Sequence, residues 1–564
     1  AAHVFADRPG QPGLDELDQP VGSASATRAP TFSHWLANRH WGVRAALAIL
    51  AGVLTALGFE PFGAWPLVIP GVAGLTLAVL AARRLRGAAG LGFAFGVGFL
   101  LLGVGWMQVI FLQAMLGLVL VEALFYAVLG AAIKLASRTA WWPLLAAACW
   151  TGIEFAYSRF PFSGFGWMRL GYAMVDSPLA AMLPLVGVAT LGFSTAMAGQ
   201  LLAWLVLSPS KQRTALVASG VAGIAVLALG GLLVPAGLQT GTTSVGYVQG
   251  GAPGGGVYGL GEARTITRNQ AAETARFADQ MSETDRLADD VDTGTRPPPA
   301  FIVWPENGTD MDPFLDAETN RLVQAALDRA GVPILVGAIL EGPGKDERRT
   351  ASLWWDPEAG VQGTYIKRGI VPFGEWVPFR SILLPLIPEL QYVGAQSIPG
   401  TAPGVLPVTL ADGTALKLGI LVCYDLVYDD FAYDTVRAGG QVQIVQSSNA
   451  MYQGTGQIEQ QFAITRVRAR ELRREMLVVT TSGVSGLINP DGSVAFTEPD
   501  HVSASGVVEL PTREGVTPAA WGASWIELTI TLLAVVGLGL SLRYGRMDVE
   551  VTQLGEANGL PGRS

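Results

Sequence analysis

Eight long stretches of mostly apolar residues stand out along the chain, near 42–59, 66–82, 88–108, 111–133, 141–157, 179–207, 214–236 and 521–542. Runs of about 18 or more such residues can cross a bilayer as helices, so the pattern predicts eight transmembrane helices. Glycine is frequent in several of them, as membrane helices tolerate. Between the seventh and eighth stretches the rhythm changes. Short β-branched or apolar runs at 244–249, 300–304, 333–339, 352–356, 363–367, 417–423, 442–447 and 476–480 read as strands. Amphipathic stretches near 262–290, 316–330, 429–439 and 458–475 read as helices. Strands alternating with helices predict a layered α/β domain.

The pattern divides the chain into five parts: a disordered tail over 1–34, a membrane domain over 35–236, a polar domain over 237–520, an eighth helix over 521–545 and a tail over 546–564. The first tail is poor in large apolar residues and rich in Pro, Gly, Asp and Ala. No arginine-flanked apolar stretch precedes residue 42, so no cleavable signal peptide is expected.

Charge orients these parts. Arg39 and Arg44, Arg83, Arg84 and Arg86, Lys134 and Arg138, Lys211 and Arg213, and Arg543 and Arg546 all fall on one face if the spans number eight. The positive-inside rule makes that face cytoplasmic. Both termini are then inside and the 237–520 domain outside. That domain carries a net charge of −13 against +4 for the rest. Overall, 15% of residues are charged and 50% hydrophobic, with a mean hydropathy of +0.38, which excludes a wholly soluble or disordered protein. Two cysteines, Cys149 and Cys423, rule out a disulfide scaffold and a four-cysteine zinc site. Of the four histidines, His3, His34 and His40 crowd the N-terminus and only His501 lies in the polar domain. A histidine-based triad or metal site is not expected, and the acidic balance offers no nucleic-acid footprint.

Three residues stand at strand ends, where α/β folds hold ligands: Glu306 in VWPEN, Lys367 in TYIKRG and Cys423 in GILVCYD. A cysteine closing a buried strand is most simply a packing residue. As a nucleophile it needs a base, and without a nearby histidine that base is a carboxylate, with a cation to stabilise developing charge. Glu306 and Lys367 suit those two roles.

WPEN (304–307), YIKRGIVPFGEWVP (365–378) and LVCYD (421–425) resemble, in that order, the Glu-Lys-Cys carbon–nitrogen hydrolase (nitrilase) superfamily. With the membrane spans, VGYVQG (245–250), GFGWMRLGY (164–172), RVRARELRR (466–474) and SGVSGLINPDG (482–492), the chain is similar to the membrane-embedded branch, the apolipoprotein N-acyltransferase family. The resemblance implies an αββα sandwich outside the bacterial plasma membrane, inserted between helices seven and eight. It implies Cys423 as nucleophile, Glu306 as general base, Lys367 as oxyanion stabiliser and Glu375 as a second glutamate beside them. The Tyr424 N–H would complete the oxyanion hole, and Asp425 and Asn449 would support the substrate pocket. Asp425 replaces the family's usual Glu, and SSNAMY (447–452) is an imperfect form of its Asn-Asp-aromatic segment. The implied reaction moves an acyl chain from a membrane phospholipid, through a cysteine thioester, to the N-terminus of a diacylated apolipoprotein. The expected enzyme is a monomer with no metal and no organic cofactor.

Other signals carry less. Gly254, Gly256 and Gly259 match a dinucleotide fingerprint that 70 glycines make unremarkable, and Lys345 lacks the rest of a phosphate loop. Glu122 and Glu154 are ionisable groups inside spans, open to a functional or a hydrogen-bonding role. Arg466, Arg468 and Arg470 read as a solvated or ion-paired helix face. SILLPLIPELQYV (381–393), apolar and broken by proline, reads as a loop over the site dipping into lipid. Two other functions remain open: a membrane-tethered amidase or nitrilase acting on a small amide, and a transporter or scaffold whose domain only binds.

Overall fold

The computed structural model describes residues 39–207, 210–256, 258–259, 261–290 and 299–557, with side chains at all but 283–290 and 544–557. The 1–34 stretch expected to be a disordered tail lies outside them. Seven helices come first: α1 (Trp41–Ala56), α2 (Val68–Leu80), α3 (Leu85–Gly103), α4 (Leu112–Ala136), α5 (Trp142–Tyr157), α6 (Leu183–Leu207) and α7 (Lys211–Leu232). They occupy the first seven apolar runs. Small residues let them approach closely, as helices in lipid require: a Cβ on Gly92 or Gly130 would strike the facing backbone across the α3–α4 contact. Between α5 and α6 the chain runs as mostly buried 3-10 turns over 166–182.

The α/β block follows. One sheet has the order β13-β1-β2-β3-β4-β5, built from Ala504–Glu514 (β13), Leu238–Gln249 (β1), Phe301–Val303 (β2), Ile334–Glu341 (β3), Glu347–Asp356 (β4) and Gly360–Ile366 (β5), with Gln396–Ser397 (β6) beside β4. The other runs β12-β11-β10-β9-β8-β7, from Val494–Thr497 (β12), Gly486–Ile488 (β11), Met476–Thr480 (β10), Val442–Ser447 (β9), Ala415–Val422 (β8) and Val405–Thr409 (β7). Side chains alternate between two cores, as the pleat demands. Phe301, Val303, Leu335, Ile420, Val422, Ile444 and Leu477 fill the space between the sheets. Ile302, Trp304, Ile334 and Val336 face the helices Thr265–Asp290 (α8) and Ala317–Ala330 (α9). Leu421, Val445 and Val478 face Asp429–Arg437 (α11) and Gln457–Leu472 (α12). Burial on both faces explains why these strands read as unbroken apolar runs. The result is the four-layered helix–sheet–sheet–helix sandwich.

The α11–α12 layer shares one continuous core with the membrane helices. Across that seam runs a buried charge network. Arg169 holds Asp429 at 2.9 Å and Glu527 at 2.8 Å, and Arg468 holds Asp429 at 2.7 Å and Glu471 at 2.6 Å. Glu471 also accepts the Val188 N–H at 2.8 Å, where α6 breaks at Gly187 (φ 77). Arg468 is fully buried, so the expected arginine face is not a solvated one; Arg466 pairs with Asp176 nearer the surface.

The chain closes with α13 (Pro518–Ala557), which runs past the expected boundary into the stretch read as a tail. Among the described residues, five helical stretches are long and apolar enough to cross a membrane: 85–103, 112–136, 178–207, 211–232 and 518–543. The shorter α1 and α2 are apolar as well. The segment over 381–393 is helical rather than a loop, with α10 at Arg380–Leu386 and a 3-10 turn at Pro388–Val393. It exposes Ile382 and Leu386, as Phe379 just before it is exposed, while Leu390 and Val393 pack on Val377.

Candidate active site

Each of the three expected residues leaves the end of its own strand at the same end of the sandwich. Glu306 follows β2, where Gly337 clears room for the turn: a Cβ there would collide with the Pro305 carbonyl. Its Oε2 accepts the Ser448 N–H at 3.1 Å. Lys367 follows β5, its backbone tied to Thr350 and Gly400. Cys423 follows β8 at φ 48, in the left-handed region, where a non-glycine residue costs on the order of 1–2 kcal/mol. The turn tips its side chain out of the pleat and starts a 3-10 turn over Cys423–Val427.

These ends meet. The Lys367 ammonium donates to Glu306 Oε1 at 2.8 Å and to both oxygens of Glu375, at 2.9 and 3.0 Å. Lys367 is 1% exposed. Burial works against its charge, but Glu306, Glu375 and Cys423 outweigh it and hold the ammonium well above the usual lysine range. Burial pushes the Cys423 thiol up, and so do Glu306 and Glu375, while Lys367 works the other way. The resting sulfur is therefore a thiol. Two carboxylates against one ammonium give the cluster one net negative charge. A proton passing from Cys423 to Glu306 leaves that total unchanged, so burial does not oppose the transfer as it would oppose creating a lone thiolate.

Asp425 serves as a buried latch. Its Oδ2 accepts from the Tyr365 hydroxyl and the Val422 N–H, both at 3.0 Å, and its Oδ1 from the Gly369 N–H at 2.6 Å. Tyr365 and Gly369 flank Lys367; Val422 precedes Cys423. The Tyr424 ring stacks on Trp167 and Phe165 (centroids 6.2 Å apart in each pair), and its hydroxyl donates to the Gly164 carbonyl at 3.3 Å. The residue after the sulfur is thus anchored in the membrane domain. Asn449, at φ 55, spends its amide N–H groups on Gln457 (2.9 Å) and Gln461 (2.8 Å), and so braces the loop after β9.

The sequence assigned no role to several contributors. Tyr365 grips Asp425, and Gln460 accepts from the indoles of Trp106 (2.9 Å) and Trp167 (2.8 Å) while donating to the Glu60 and Gly103 carbonyls. Tyr452, against Trp106, lies within electrostatic reach of Cys423. Beside the cluster opens a cavity of about 290 Å³ between α4, the 161–165 turn and α10. Its wall is almost wholly apolar and includes Val371, whose N–H binds Glu375 at 2.9 Å.

The Glu306–Lys367–Glu375 cluster beside Cys423 thus lies buried at one end of a two-sheet sandwich, here built into a bundle of apolar helices. Residues 297–508 match the family described as carbon-nitrogen hydrolase, and residues 51–201 match the apolipoprotein N-acyltransferase N-terminal domain. An apolipoprotein N-acyltransferase of Mycolicibacterium smegmatis is 30% identical, covering 94% of this chain and 90% of its own. One of Azotobacter vinelandii is 27% identical over 91% of this chain and 97% of its own. Among solved structures, an amidase from Nesterenkonia sp. aligns at a TM-score of 0.33 and 15% identity, covering 53% of this chain and 98% of its own. The chain belongs to the apolipoprotein N-acyltransferase family.

Proposed function

We propose that the protein is a membrane enzyme that N-acylates lipoproteins, with a phospholipid as acyl donor. The observation that carries the reading is the buried Glu306–Lys367–Glu375 cluster around Cys423, beside an apolar cavity walled by the membrane helix α4. Glu306 takes the thiol proton as Sγ attacks the ester carbonyl of the donor. Lys367 and the Tyr424 N–H stabilise the oxyanion. The intermediate collapses, the bond between the carbonyl carbon and the glyceryl oxygen breaks, and Glu306 returns the proton to the leaving alkoxide, giving a lysophospholipid and a thioester on Cys423. The N-terminal amine of a diacylglyceryl-cysteine lipoprotein then attacks the thioester. The C–S bond breaks, the amine proton passes through Glu306 to the sulfur, and the free thiol is restored.

The one-sided arginine and lysine clusters support a topology of eight spans, with those clusters inside and the 237–520 domain outside the plasma membrane, where lipidated proteins emerge. Donor and acceptor both lie in the bilayer, which suits the exposed apolar side chains of α10. We take the working unit as a monomer. In mixed micelles of phospholipid and a diacylglyceryl-cysteine peptide, the wild type should produce N-acylated peptide and lysophospholipid in equal amounts. Cys423→Ala should produce neither; peptide acylation by that variant would sink the mechanism. Loss of phospholipid to free fatty acid alone would point to hydrolysis.

A further inference from the structure

Among the described residues, helices α1–α7 hold two buried carboxylates whose circumstances differ. Glu154 has a partner: its Oε1 accepts the Leu170 N–H at 2.8 Å. Glu122, on α4, is 3% exposed and lines the cavity beside the cluster. It makes no hydrogen bond or ion pair with any described residue. A carboxylate kept in an apolar membrane setting without a partner is costly. The cost makes sense when the partner arrives with the ligand.

Among the described residues Glu122 is the one ionisable side chain in that wall; its neighbours there include Leu118, Val121, Phe165 and Phe373. The cavity also reaches the turn that anchors the nucleophile's neighbour, because Gly164 lines it and accepts the Tyr424 hydroxyl. Tyr424 lies within electrostatic reach of Glu122. Of the two substrates, only the acceptor must bring a basic nitrogen. An N-terminal amine has an ordinary pKa of about 7.7–8.0 and so arrives largely as a cation at neutral pH.

We propose that Glu122 is the binding residue for the α-amine of the lipoprotein acceptor, pairing with the incoming ammonium in the cavity and taking its extra proton, so that a neutral amine stands beside the acyl-enzyme. The inference rests on the two-step reaction above and assigns acceptor recognition to a residue outside the α/β domain. It also accounts for an acidic group in a cavity that otherwise suits hydrocarbon.

The two half-reactions separate this inference from the reading it rests on. Enzyme in micelles would be acylated with palmitoyl-oleoyl phosphatidylglycerol, which has no amine, and the Cys423 adduct followed by intact mass. It would then be discharged either with a diacylglyceryl-cysteine peptide or with hydroxylamine. Glu122→Gln should acylate at close to the wild-type rate and discharge normally to hydroxylamine. Its discharge to subsaturating peptide should be slower on the order of 10²-fold, mainly through KM. Glu122→Asp should recover part of that loss. Wild-type discharge of the Gln variant to peptide would overturn the proposal. So would a parallel loss in acylation and in both discharges, which would make Glu122 a structural residue. If the wild type itself forms no adduct, the two-step reading falls and takes this inference with it.

Discussion

Replacing Asp425 with asparagine tests whether the latch between the lysine and cysteine strands sets the site's geometry. The carboxylate accepts three hydrogen bonds in a fully buried position, from the Tyr365 hydroxyl, the Val422 N–H and the Gly369 N–H. An asparagine amide keeps one acceptor oxygen. With that oxygen towards Gly369, the new NH₂ can donate to Tyr365, whose hydroxyl turns round, but it meets the Val422 N–H donor to donor. With the amide flipped, Gly369 loses its acceptor instead. Either way one buried backbone N–H goes unpaired, at about 1–3 kcal/mol. The strain falls on Val422 or Gly369, which hold Cys423 and Lys367. A misplacement near 1 Å between reacting groups costs on the order of 10² in rate. Asp425→Asn should therefore lower thermal stability in detergent and slow Cys423 acylation by about that factor. Asp425→Ala, which strands all three donors, should be worse on both counts. Full stability and full acylation in the asparagine variant would refute the reasoning.

Alkylation of Cys423 by iodoacetamide should be slow at pH 7–8 and rise only at higher pH, because burial and the Glu306 charge raise the thiol pKa. Glu306→Gln removes one of those charges and leaves Lys367, so alkylation should speed up while acyl transfer is lost; Lys367→Met should slow both, and the opposite order would contradict the electrostatics. Burial alone would raise the Asp429 pKa, but Arg169 and Arg468 outweigh it and hold it below the usual carboxylate range. Its stabilisation is thus present above about pH 4 and lost as pH falls towards the folded value, and Asp429→Asn should cost about 3–5 kcal/mol in a chemical-denaturation assay at pH 7. An impermeant thiol reagent on intact cells should label a cysteine placed at the exposed Ser282 and spare one at Ser210; the reverse would invert the orientation.

The motif residues were legible because each closes a strand, and strands buried on both faces announce themselves as apolar runs. β13 was not, since it combines Gly506 and Pro511 with polar residues. It lies at the sheet edge, where proline is tolerated. The helical turn at α10 was hidden by its own Pro385. The arginine run shows what spacing can and cannot say. At 100° per residue, Arg466 and Arg470 share a helix side and Arg468 faces the opposite one, so the three never formed a single face. Which of the two sides is fully buried depends on Arg169, Asp429 and Glu527, whose convergence is tertiary and leaves no local trace. Gln460 is equally silent, because a glutamine inside a helical pattern carries no mark of the two indoles it will bind.

The acyl-enzyme itself tests the central claim most directly. Purified protein incubated with a defined phospholipid and no acceptor should gain the mass of one acyl chain, located by peptide mapping on Cys423 and removed by hydroxylamine as a thioester is. Glu306→Gln should block its formation, since a neutral amide cannot take the thiol proton. An adduct on any residue other than Cys423, or steady transfer to lipopeptide with no thioester formed, would contradict the account.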